Sequence, residues 1–204
     1  MKIVVITDDS LKAELLAHGV QDAVSIEWVN NINAISKNAA VYIDLLFDTA
    51  REERTKILSG LPADLIVVND VMETCKTMPV NFVRINGWPT FLKRTITEAT
   101  CNNELIKEKA EKVFSFFYKK PEWTPDVQGF ITPRVICTII NEAFFSLKDK
   151  VSSRKEIDTA MKLGTNYPYG PFEWSELIGV QKIHMLLDLL SKHDERYIPC
   201  DLLK

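Results

Sequence analysis

The feature that most constrains this chain is a change of period near residue 101. Before it, short β-branched runs alternate with helix-capping signals; from Thr132 onward only helical signals remain. Residues 2–6 (Lys-Ile-Val-Val-Ile) read as a buried strand of a parallel sheet. Asp9 or Ser10 can cap a following helix that Gly19 ends, with Leu11, Leu15 and Leu16 on one side. Further strands are predicted over residues 25–29, 39–47, 64–69, 80–85 and 94–99. Between them, Asp48 offers a cap for a helix over 49–59, which Gly60 and Pro62 terminate. Strand and helix in alternation predict an α/β layer fold with a parallel sheet.

After Cys101 the pattern is different. Asn102 or Asn103 can cap a helix over 104–119, whose apolar face holds Ile106, Ala110, Val113, Phe114 and Phe117. Pro121, Pro125 and Gly129 punctuate a connection. Pro133 suits the first turn of a long helix ending near Lys150. Ser153 and Glu156 form a capping-box pattern, with Gly164 ending the helix they start. The loop 165–171 and helices over 172–178 and 181–192 complete the chain. Two domains follow, an α/β domain over 1–124 and an all-α domain over 125–204.

A formal net charge of -3 argues against a protein built to neutralise phosphate backbones, so nucleic acid is not expected as a partner. The four cysteines are scattered, without a Cys-x-x-Cys pair or a histidine at ligand spacing, so no metal is expected. No run approaches the roughly 20 apolar residues of a membrane span, and the N-terminus lacks a signal-peptide pattern. A reduced, cytoplasmic setting is the expectation.

The stretch Asp126-Val-Gln-Gly-Phe-Ile-Thr-Pro-Arg134 resembles the entry to the C-terminal domain of 3-hydroxyacyl-CoA dehydrogenases, D-x-P-G-F-I/V-x-N-R. Asn141-Glu142-Ala143 resembles that family's N-E-A. Glu156 to Gly164, with Asp158 and Met161, resembles D-x-A-M-x-x-G, and Pro168-Tyr-Gly170-Pro171-Phe172 resembles P-x-G-P-F. Leu177-Ile-Gly179 resembles the closing D-L-I-G. Upstream, Phe82-Val-Arg-Ile-Asn86-Gly-Trp-Pro89 resembles H-F-F-N-P-x-P, with Asn86 on the asparagine and Pro89 on the second proline. The resemblance implies a shortened Rossmann-like parallel-sheet domain followed by a helical domain like the C-terminal one of 6-phosphogluconate dehydrogenases. It also implies NAD as the family cofactor, an acyl-CoA substrate and a homodimer formed through the helical domain.

The family's reactive groups are missing from their places. A dinucleotide site needs glycine after the first strand, to turn tightly and to bare the backbone to a diphosphate. Here Ile6 leads into Thr7-Asp8-Asp9-Ser10, which adds two carboxylates and no glycine, so no cofactor is expected in this chain. In an ungapped match on Asn86, the catalytic histidine falls on Val83 and the glutamate on Thr95; a small gap brings Glu98 into register instead. Arg84 stays protonated and cannot serve as a base. Asn86 and Glu98 are therefore the remaining candidates for chemistry. Asn86, Pro89, Phe130, Arg134, Gly170 and Pro171 are candidates for a substrate cleft. The expected function is a relative in acyl-CoA metabolism that binds an acyl-CoA or a companion subunit without unaided dehydrogenase activity. The alternatives are an active NAD-dependent 3-hydroxyacyl-CoA dehydrogenase with an atypical site, a different reaction in the same cleft using Asn86, Glu98, Tyr167 or Tyr169, and a purely structural dimerisation or interaction protein.

Overall fold

Runs of β-branched residues with no polar interruption favour strands covered on both faces. The computed structural model describes residues 1–203; Lys204, the last residue of the expected helical domain, lies outside the described residues. The strands are β1 (Lys2–Ile6), β2 (Ser25–Val29), β3 (Val41–Asp44), β4 (Leu65–Asn69), β5 (Phe82–Ile85), β6 (Ile96–Cys101) and β7 (Lys120–Trp123). They form one sheet in the order β2-β1-β3-β4-β5-β6-β7. Every neighbouring pair is parallel except β5 and β6, which run antiparallel.

Successive side chains of a strand point to opposite faces, and the sheet buries both. Ile3, Val5, Ile43, Val67 and Val83 pack on one face with Leu11 and Leu15 of α1 (Asp9–Leu15) and with Ala110, Val113 and Phe114 of α3 (Lys107–Ser115). Val4, Ile6, Tyr42, Ile66, Val68 and Phe82 pack on the other face with Leu58 of α2 (Arg51–Ser59). Helices on both faces of a mostly parallel sheet give the expected Rossmann-like layering.

Several boundaries differ from expectation for local reasons. Asp8, not Asp9 or Ser10, caps α1: its extended backbone lets the side chain accept from the Leu11 amide. α2 begins after a 3-10 turn over Phe47–Thr49, so Asp48 lies inside that turn and Ala50 stands at the N-cap without a side-chain bond. The helix expected over 104–119 is a 3-10 turn (Glu104–Ile106) plus α3, and the chain then enters β7. Pro121 disguises that strand in the sequence. On a sheet edge its missing N–H costs no ladder bond.

The chain divides into two compact units, Met1–Phe130 and Ile131–Lys204. The first unit runs past the expected boundary at residue 124 because the following segment is bonded to it. Asp126 accepts from the Cys75 amide at 2.9 Å and from Arg84 at 2.6 Å, and Gly129 donates to the Val71 carbonyl at 2.7 Å.

The second unit consists of α4 (Thr132–Lys148), α5 (Arg154–Thr165), α6 (Pro171–Ile178) and α7 (Val180–Ser191). Ile136, Cys137, Ile140 and Phe144 of α4 are buried, as are Phe172 and Trp174 of α6 and Ile183, Leu186, Leu187 and Leu190 of α7. The capping box at Ser153 and Glu156 is present. The helix it starts runs through Gly164 and ends at Asn166, which adopts the left-handed conformation (φ 57°) that asparagine tolerates.

Asp158 explains why two separated sequence blocks occur together. From α5 its carboxylate accepts from the amides of Phe172 at 2.8 Å and Glu173 at 3.3 Å, capping α6 from outside. A Cβ on Gly170 would lie 2.3 Å from that carboxyl group, so only glycine admits the contact. Asp158→Ala should therefore lower stability by about 1–3 kcal/mol in urea unfolding, through the two orphaned amides. Gly170→Ala should weaken the same contact; an unchanged midpoint for both variants would contradict the latch.

Lys119, just after α3, is 4% exposed, and burial pulls its ammonium down to about 8. The folded chain thus releases this proton at lower pH than the unfolded chain, whose lysine titrates near 10.4. The burial penalty is fully present below pH 8 and fades as pH rises from about 8 toward 10.4. Measured against Lys119→Met, the wild type should gain stability across that window; a constant difference would contradict the buried charge.

Candidate functional site

In open α/β sheets, ligands lie beyond the carboxyl ends of the strands, where the strand order reverses. Here the order reverses at β1, with β2 on one side and β3 on the other. The backbone leaving β1 is Thr7-Asp8-Asp9-Ser10. Thr7 donates its amide to the Val29 carbonyl at 2.8 Å, and the Asp8 carboxylate takes the Leu11 amide at 2.8 Å. A cleft of about 350 Å³ lies beside this turn, lined by residues including Thr7, Asp8, Asp9, Lys12, Trp28 and Asn30. The Lys12 ammonium sits 4.8 Å from the centre of the Trp28 ring. A diphosphate in the family's pose would meet two carboxylates here and compete with Asp8 for the helix amide. These residues do not fit the dinucleotide.

Charge continues along the same edge, and each charge has its own partner. Asp44, at the end of β3, is fully buried and accepts from Arg54 at 2.8 Å on both oxygens. Burial pushes the Asp44 carboxyl above the usual range, while Arg54 and the Leu46 amide oppose that rise. Asn69, at the end of β4, donates to the Leu45 carbonyl at 3.1 Å and accepts from the Gly87 amide at 2.9 Å, so it ties the ends of three strands together. Gly87 is required for this: an added Cβ would lie 2.9 Å from the Asn69 side chain. Asp70 accepts from Arg51 at 2.8 Å, and its carbonyl accepts from the fully buried Arg84 at 2.9 Å.

The candidate catalytic residues come together. Asn86 is 3% exposed, and its side-chain amide donates to the Glu98 carboxylate at 2.9 Å. The backbones also join, Asn86 donating to the Glu98 carbonyl at 3.0 Å. Thr95, the ungapped counterpart of the family glutamate, is exposed and precedes β6; strand pairing brings Glu98 to Asn86 instead. Val83, at the histidine's counterpart, is fully buried in the apolar core. Among the three histidines, His18 bonds through its ring to the Lys93 carbonyl at 2.9 Å, while His184 lies on α7 and His193 just beyond it.

The cleft candidates divide between the two units. Pro89 is half-buried in the β5–β6 loop. Phe130 is fully buried, with the Arg84 guanidinium 4.6 Å from its ring centre, so it packs a charge rather than offering a surface. Arg134 lies in the first turn of α4 and donates to the Tyr197 hydroxyl at 3.3 Å. Gly170 and Pro171 are buried at the start of α6, where they close the Asp158 latch. Tyr167 and Tyr169 pack on Trp174, with ring centres 5.5 and 6.0 Å away. Burial raises the thiols of Cys75 (to about 12), Cys101 and Cys137, which leaves each a poor nucleophile. Among the described residues no group of three or more His, Cys, Asp or Glu could hold a metal ion, and no helix is long and apolar enough to cross a membrane.

Sequence reasoning missed the roles of Asp44, Arg54 and Asn69, and it placed Asp126 and Asp158 in matched motifs without seeing what each bonds. One signal was available: Asp44 and Arg84 each stand within or at the end of an apolar strand, where a charge demands a buried partner.

The sequence model of the 3-hydroxyacyl-CoA dehydrogenase C-terminal domain matches residues 129–204. The 3-hydroxybutyryl-CoA dehydrogenase of Clostridioides difficile is 39% identical over 186 residues, 88% of this chain and 66% of that protein. The 3-hydroxyadipyl-CoA dehydrogenase of Escherichia coli K12 is 41% identical over 112 residues, 54% of this chain and 24% of that protein. The chain thus spans only part of the curated relatives it matches, from about a quarter of the E. coli protein to about two thirds of the C. difficile one. The solved structure of (S)-3-hydroxybutyryl-CoA dehydrogenase from Ralstonia eutropha shares the fold with a TM-score of 0.73 at 18% identity, covering 99% of this chain and 91% of that one. Sequence and fold agree: the chain belongs to the 3-hydroxyacyl-CoA dehydrogenase family.

Proposed function

We propose that this chain is a relative in acyl-CoA metabolism that binds an acyl-CoA, or a companion subunit, without carrying out NAD-dependent dehydrogenation by itself. The observation that carries the reading is the turn after β1, where the Asp8 carboxylate holds the Leu11 amide that a diphosphate would need. The core residue Val83 at the counterpart of the family's histidine supports it further, since no group there can take the proton of a 3-hydroxyl. The family's thioester substrates, as named for the relatives above, supply the ligand class.

A homodimer through the helical unit is part of the same reading. Val135 on α4, Leu163 on α5 and Met185 on α7 are each more than half exposed, apolar surface of the kind that subunit contacts cover. The four cysteines form no disulfide, in keeping with a reducing, cytoplasmic compartment. One observation favours a second reading, an active enzyme with an atypical site: the Asn86–Glu98 pair keeps an amide and a carboxylate joined where the family works.

Acetoacetyl-CoA at about one hundred times its Kd should stabilise the chain by roughly 2.7 kcal/mol, read as a rise in Tm. NADH and acetoacetyl-CoA together should give no turnover above the rate without protein, followed by NADH absorbance. Sedimentation should report twice the monomer mass. Steady NADH consumption would transfer the case to the second reading; no response to any acyl-CoA would remove the ligand from the first; a monomer would remove the dimer.

A further inference from the structure

The loop between β5 and β6 is buried where loops are ordinarily wet. Gly87, Trp88, Thr90, Phe91 and Leu92 are all buried, and Thr90 adopts a positive φ of 75°. A β-branched residue does not choose that conformation, so the surroundings must impose it. Buried backbone groups also need partners, and a loop has no ladder to supply them.

Some come from within or beside the loop, as where Phe91 donates to the Trp88 carbonyl and Gly87 to Asn69, and four more groups are met by two distant side chains. Glu14, on α1, accepts from the Thr90 amide at 2.7 Å and the Lys93 amide at 3.2 Å. Lys119, just after α3, donates to the carbonyls of Leu92 and Arg94, the latter at 2.7 Å. The bonds alternate along the loop: Thr90 N–H to the carboxylate, Leu92 C=O to the amine, Lys93 N–H to the carboxylate, Arg94 C=O to the amine. Lys119 also feels the charge of Glu14, which favours its ammonium form against burial. A neutral amine still carries two N–H donors for the two carbonyls, so the clamp does not require the charge. Just outside the two ends of this loop stand Asn86 and Glu98, joined through both backbone and side chain.

We propose that Glu14 and Lys119 are positioning residues, which clamp the loop over residues 87–95 and thereby hold Asn86 against Glu98. The inference takes from the proposed function only that this pair faces the ligand. Neither residue need touch the ligand; each acts through the loop.

Amide hydrogen exchange and NMR of the full chain test it. In the wild type, the Thr90 and Lys93 amides should be protected to a degree typical of core strands, although they lie in a loop. Fast exchange at both would overturn the clamp at once. Glu14→Gln keeps the size but only one acceptor oxygen, and Lys119→Met keeps the stem without the donor. Either should speed exchange of Thr90 and Lys93 by about tenfold or more and shift the Asn86 side-chain amide resonances, identified by their loss in Asn86→Asp. Glu27→Gln, which removes a carboxylate paired with Lys2 at 2.8 Å elsewhere on the sheet, should leave those resonances unmoved. Unmoved Asn86 resonances in Glu14→Gln would also overturn the proposal; if Lys119→Met fails to fold, Glu14→Gln and the wild-type protection decide. If the resonances shift as expected but acetoacetyl-CoA binds neither wild type nor variants, the clamp stands and the ligand reading falls.

Discussion

Charge buried at the carboxyl edge of the parallel sheet sets the terms for the first unit. Asp44 and Arg84 are fully buried and Asp70 nearly so. Such groups persist only when paired, and removing one partner of a buried pair typically costs about 3–5 kcal/mol. Arg54 answers Asp44, Arg51 answers Asp70, and Arg84 spans the Asp70 carbonyl and Asp126. The pairs join residues far apart in sequence, and Asn69 adds the ends of β3, β4 and β5 to the same network. At the edge where this fold ordinarily receives a ligand, these side chains close on one another.

That closure connects the fold to the functional reading. A dinucleotide site leaves backbone amides bare and brings positive dipole ends to a diphosphate. In this chain the turn after β1 spends its amide on Asp8 and adds a second carboxylate in Asp9. Asn86 and Glu98 sit elsewhere, at the antiparallel β5–β6 pair, where strand register joins them. The turn after β1 carries two carboxylates, while the β5–β6 pair keeps an amide and a carboxylate joined.

Much of the fold was legible because it is written in local patterns. The alternation of apolar runs located β1, β2, β4 and β5, and Pro133 and the Ser153–Glu156 box located the starts of α4 and α5. β7 was not legible, because its identity comes from pairing with β6 at an edge where proline is tolerated. The blocks around Asp158 and Gly170 were readable as a resemblance, yet their physical link, a carboxylate capping the next helix, exists only in three dimensions. Glu98 meets Asn86 through strand register, which counting along the chain cannot supply. The partners of Asp44 and Arg84 were hidden for the same reason.

The central claim is that the turn after β1 has given up diphosphate binding. Mapping the backbone amide resonances of Asp9, Ser10 and Leu11 during titration with NADH, to millimolar concentration, tests it most directly. Flat traces at all three amides are predicted, since Asp8 already occupies the Leu11 donor. Saturable shifts centred on these residues, abolished by excess NAD, would contradict the account.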